Sequence, residues 1–142
     1  MSRLRAASPY LLAALLAGAA VTHALRPEFY DPIVPHFLPG PARTWTLLSG
    51  VAELAVAAAV AAPRTRRTGA LLAALLLVAV FPANLQMAAD AHTTAMRVVA
   101  YARLPLQVPL VLWALAVRRG QYSVRSARVA RPSSTSGAMR SS

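Results

Sequence analysis

The chain has 142 residues, enough for one domain, but 57% of them are hydrophobic and only 13% charged, a balance too apolar for an ordinary water-soluble domain. Cysteine is absent, which excludes a disulfide framework, a thiolate metal site and a thiol-based electron relay. The net charge is +11 and every basic residue is arginine, yet the arginines border apolar runs and crowd the last stretch, 118–142. That placement fits membrane topology and attraction to anionic lipid, and argues against a nucleic-acid partner.

In chain order, four segments reach the length of a bilayer span, about 20 residues at about 1.5 Å each. They are roughly 8–25, 44–62, 68–89 and 98–117. Each is expected to be helical, since an isolated span must satisfy its own backbone hydrogen bonds. The start, MSRLR before LLAALLAGAA, also resembles a cleavable signal peptide. An uncleaved first helix is the expectation, because the later spans need a partner to pack against.

Between the first two spans lies RPEFYDPIVPHFLPGP, with prolines at 27, 32, 35, 39 and 41. Proline lacks an N–H and clashes with the preceding turn, so no helix survives there. With Phe29, Tyr30, Phe37 and nearby Trp45, the stretch reads as an interfacial cap over one mouth of a helix bundle. Its other reading is a plain connector. Spans two and three are joined by the short basic turn PRTRRT, and span four is interrupted by Arg103, Pro105 and Pro109.

Orientation follows from the arginines. Arg3 and Arg5, the trio Arg64, Arg66 and Arg67, and Arg118 with Arg119 all fall on one alternating side. That side is expected to be the cytoplasm, with both termini there. The remainder, 120–142, is basic and Ser-rich without periodicity and is expected to be a disordered tail after a transmembrane domain at 1–119.

Polar groups inside the spans mark the candidate site, because a charge at mid-bilayer costs about 3 kcal/mol. They are His23 at the end of span one, Glu53 in span two, Asn84 in span three, and Arg103 and Gln107 in span four. Alternating helix directions put all five in the outer half or at the midplane. Glu53 and Arg103 are expected to face each other as a buried pair. The alternative is that Arg103 snorkels to the headgroups. Asn84 suits an interhelical hydrogen bond or a carbonyl freed by Pro82. The spacing of His23, His36 and His92 matches no metal motif, so no metal is expected.

The segments HALRPEFYDPIVPHFLP, LSGVAEL, PRTRRTGA, VFPANLQMA and RLPLQ, taken in that order, resemble the DoxX family of small membrane proteins. The resemblance covers about His23 to Arg119. It implies a four-helix protein of the inner membrane, associated with redox complexes, since the founding name belongs to a subunit of a thiosulfate:quinone oxidoreductase. The matched positions are Glu53, Pro82, Asn84, Arg103 and Gln107, and no catalytic residue carries over to them.

The resulting expectation is an all-α membrane protein, a four-transmembrane-helix bundle. It would act as an accessory subunit near redox or quinone chemistry and not as an enzyme on its own. No intrinsic cofactor is expected; a quinone contact fits an apolar cavity with a few hydrogen-bonding groups. Membrane lipids and other membrane redox subunits are the expected partners. A small proton- or cation-linked transporter using Glu53 is one alternative. A purely structural membrane protein is the other.

Overall fold

The computed structural model describes residues 2–129 of the chain. It is all helical among those residues: α1 (Ser2–Leu25), α2 (Ala42–Ala61), α3 (Arg66–Ala79), α4 (Phe81–Ala89) and α5 (Thr94–Val129). Two short 3-10 turns, Pro27–Phe29 and Asp31–Ile33, lie between α1 and α2, each with a proline at its first or second position, where the missing N–H has no helical partner to lose.

Four stretches are long and apolar enough to cross a membrane: Arg5–Leu25, Ala42–Ala61, Arg66–Ala89 and Thr94–Gly120. Only 17–33% of each is buried inside the bundle. Large apolar side chains such as Leu11, Leu15, Val51, Leu75, Val108 and Leu112 point outward instead. An aqueous protein could not leave so much apolar surface uncovered, whereas hydrocarbon solvates it.

The two halves of the bundle are built differently. In the half nearest the PRTRRT turn, Leu12, Leu16, Val56, Val60, Ala70, Ala73, Leu77, Ala114 and Val117 form a continuous core. Lipid tails are as apolar as leucine, so close contact between small residues, and not escape from water, holds this half together. Gly69 shows how close: a Cβ there would lie 2.5 Å from the Ala59 carbonyl carbon. The end of α2 has carbonyls with no helical partner. Thr65 donates to the Ala59 carbonyl, and Arg66 donates to those of Val60 and Ala61. The Arg66 guanidinium also lies over the Tyr10 ring, 4.7 Å from its centre. Trp113 donates to Ser8 at 2.7 Å and ties α5 to α1.

Three details differ from the sequence reading. The third span is not one helix over 68–89 but two, α3 and α4, parted at Val80. Pro82 stands at the second position of α4, where it is tolerated, and it cannot donate back into α3. The fourth span keeps its helix through Pro105 and Pro109. Finally, α5 runs on to Val129, so the tail expected to be disordered from 120 begins as helix; 130–142 lies outside the described residues.

Candidate functional site

The half of the bundle beneath the proline-rich stretch opens into a cavity of about 480 Å³. Its walls come from α1, α2, α3, α4 and α5, and its roof is the segment from Tyr30 to Leu38. The connector is therefore a cap over a space, and not a link alone. Three of the four aromatics singled out in and beside it, Tyr30, Phe37 and Trp45, line that space. Phe29 does not, and is exposed.

Specific bonds hold the cap down. Asp31 accepts from the Thr46 hydroxyl at 2.7 Å and from Arg43 Nε at 2.8 Å, both on the first turns of α2. The Thr46 hydrogen bond holds the Asp31 carboxyl below its ordinary value against an upward push from desolvation, and the hydrogen bond and charge of Arg43 add to the lowering. Trp45 Nε1 donates to the Pro39 carbonyl at 2.8 Å. The Tyr30 hydroxyl meets the Thr22 hydroxyl at 2.6 Å, and its ring stacks on His23 at 3.7 Å between centres. Sequence reasoning missed Asp31 and Thr46 here, because a latch between residues fifteen apart leaves no local pattern.

Four of the five expected site residues, His23, Glu53, Asn84 and Arg103, line the cavity. Gln107 stands behind Asn84 and lines a separate apolar groove between α5 and the junction of α3 with α4 instead. His23, Glu53, Asn84 and Gln107 are all buried, while Arg103 is exposed.

The expected Glu53–Arg103 pair is not formed. The basic group against Glu53 is His23, with Nδ1 3.2 Å from Oε2. Arg103 instead places Nη1 3.9 Å from Met87 Sδ. The reason lies in helix spacing. Gly50, one turn before Glu53, lets α1 approach until a Cβ at that position would sit 2.9 Å from His23 Cβ. Depth along a span, the basis of the expectation, says nothing about which neighbour stands that close.

The His23–Glu53 contact is close without being a hydrogen bond. His23 Nδ1 lies 2.9 Å from the Ala19 carbonyl, which can only accept, so the Nδ1 hydrogen points there. Glu53 Oε2 is consequently buried with no hydrogen-bond partner. Asn84 donates to Gln107 Oε1 at 2.9 Å, and Gln107 donates to the Leu77 carbonyl in the last turn of α3. That carbonyl fixes both amides: Gln107 must present nitrogen to it, so its oxygen faces Asn84, which must present nitrogen in turn. The freed-carbonyl role expected of Asn84 thus belongs to Gln107, with Asn84 bonded behind it.

Comparison with curated proteins and comparison with solved structures each give no match. A family model does match, over residues 12–118, from the fully buried Leu12 of α1 to the residue after the core Val117 of α5. The chain belongs to the family of that model, described as a domain of unknown function, DUF8561.

Proposed function

We propose that this protein is a DoxX-like accessory subunit of the inner membrane whose capped cavity receives the ring of a membrane quinone. The observation that carries the reading is the cavity itself: about 480 Å³, walled mainly by apolar and aromatic side chains, with His23, Glu53, Asn84 and Arg103 as its charged and amide groups. Such a combination suits an apolar ring bearing a few oxygen atoms. In this reading the PRTRRT turn and both termini face the cytoplasm, by the arginine asymmetry, and the cap lies on the opposite side. The protein binds and positions; electron transfer is left to partner subunits, since the chain has no thiol to relay electrons. The test is affinity purification from native membranes with mass spectrometry, alongside quinone extraction from the purified protein. Co-purifying redox subunits and bound quinone are expected. Proton- or cation-coupled flux in proteoliposomes, with neither partner nor quinone, would transfer the site to the transporter reading.

A further inference from the structure

The cavity lining grades from buried to exposed, and the gradient has a direction. His23, Thr46, Glu53 and Asn84 are buried, whereas Phe37, Leu48, Ala79, Pro82 and Arg103 are exposed and mark where the cavity meets its surroundings. Four of these five are apolar, and three, Leu48, Ala79 and Pro82, stand on α2 and on the α3–α4 junction. The two walls there carry matching stripes. Trp45, Leu48 and Ala52 recur at i, i+3 and i+7 on α2, and Leu76, Ala79 and Ala83 keep the same spacing from α3 into α4; all six line the cavity. Lower down α2 and α3 touch, where a Cβ on Gly69 would lie 2.5 Å from the Ala59 carbonyl carbon. Toward the cap, α4 packs against α5, and the 31–33 turn bridges α2 and α4. The result is a wedge-shaped apolar gap, pinned shut below by Gly69 and roofed above by the cap. Leu48 stands six residues inside the start of α2, and Ala79 ten residues before the end of α4. At about 1.5 Å per residue these are about 9 and about 15 Å below the capped end of the spans, so the gap faces hydrocarbon and not water.

We propose that this gap is a lateral portal: the hydrocarbon tail of the bound ligand leaves the cavity between the Trp45–Leu48–Ala52 stripe and the Leu76–Ala79–Ala83 stripe, so the head group beneath the cap exchanges with the bilayer. The proposal rests on the quinone reading above and adds where the tail lies and by which side the ligand enters. An apolar chain passes this gap without stranding a polar group. It gives up only contacts with lipid tails, which the apolar walls replace. The remaining exposed lining residue, Arg103 on α5, would set a guanidinium against the chain, and a charge so placed is costly in hydrocarbon. The roof is bonded to α2 at two points, Asp31 to Thr46 and Arg43, and Pro39 to Trp45, so the portal needs no movement of the cap.

The experiment uses a decyl-tailed benzoquinone with a diazirine in the middle of its tail, bound to the full-length protein in lipid nanodiscs. Bound probe is extracted before illumination and counted in excess over protein-free nanodiscs; after illumination the crosslinked residues are mapped by mass spectrometry. Labels are expected on the two stripes and should disappear with excess unmodified ligand. Ala79→Trp, which fills the gap from its exposed wall, should weaken binding about tenfold or more, the scale of an overpacking clash. Leu75→Trp should leave binding unchanged, since Leu75 is exposed and away from the cavity. With probe still bound, three results overturn the portal and leave the quinone reading standing: competable labels on α1 or α5 instead, labels that competitor does not remove, or full binding by Ala79→Trp. No bound probe overturns both. If Ala79→Trp does not fold, the label pattern of the wild type alone decides.

Discussion

At the scale of single residues, three glycines in the spans report helix spacing. A Cβ at Gly69 would meet the α2 backbone at 2.5 Å, and one at Gly50 would meet His23 Cβ at 2.9 Å, whereas Gly18 has nothing within 4 Å. At Gly69 the clash is with α2 backbone at 2.5, 2.6 and 2.8 Å, so Gly69→Ala should destabilise the bundle by about 1–3 kcal/mol, the usual cost of overpacking. At Gly50 a single atom lies closer than 3.0 Å, but it is a Cβ fixed by the α1 backbone, so Gly50→Ala should cost less than Gly69→Ala and should push α1, with His23, away from α2. Gly18→Ala should be neutral or slightly stabilising, because alanine is the better helix former. Denaturation of the three variants in detergent gives the ranking, and equal effects at all three would contradict the spacing. Asp31 carries a second residue-scale prediction. Its carboxyl ionises below its ordinary value, held there first by Thr46 and then by Arg43. A lowered value means the latch contributes fully above the unfolded-state value of about 4 and is lost as pH falls through the lower folded value. The stability difference between wild type and Asp31→Ala should therefore be constant at neutral pH and shrink only on acidification. Growth of that difference in acid would reverse the sign of the account.

At the scale of elements, the break between α3 and α4 is the distinctive feature. The Leu77 carbonyl at the end of α3 accepts from Gln107, and Gln107 in turn accepts from Asn84. Gln107→Leu removes both bonds and leaves a buried carbonyl and a buried amide unsatisfied, at about 1–3 kcal/mol for each group stranded. Asn84→Leu strands only the Gln107 oxygen and should cost less. The double variant should recover part of the sum, as expected for residues in one network. Strict additivity would show that the two amides do not interact. The existence and order of the four spans were legible in apolar run length alone, because a bilayer demands a fixed number of apolar residues. The break at Val80 was less so: Pro82 marks a disturbance, but a proline in a span can equally stand inside a helix that continues, as Pro105 and Pro109 do in α5. Polar residues inside apolar runs identified four of the cavity's lining groups. Their pairing was illegible, since rise along a helix gives depth and only the small residue at position 50 gives proximity.

At the scale of the whole molecule, the two ends of the bundle are packed differently. The end at the PRTRRT turn is close-packed by alanine, valine and leucine. The capped end is hollow, and it holds the buried His23, Thr46, Glu53 and Asn84. The arginine distribution predicts which end faces inward. The chain lacks cysteine, so single cysteines at Ala62 and Pro39 can be tested without background. In intact cells an impermeant thiol reagent should label the second position and not the first, and the opposite pattern would invert the topology. The central claim, that the space beneath the cap is the binding site, is tested most directly by photolabelling. A photoreactive short-chain benzoquinone should be crosslinked to the full-length protein in its native membrane and the labelled residues mapped by mass spectrometry. The account predicts labels concentrated in Tyr30–Leu38 and Trp45–Glu53, suppressed by excess unmodified ligand. Labels spread over the outward-facing leucines and valines, undiminished by competitor, would contradict it.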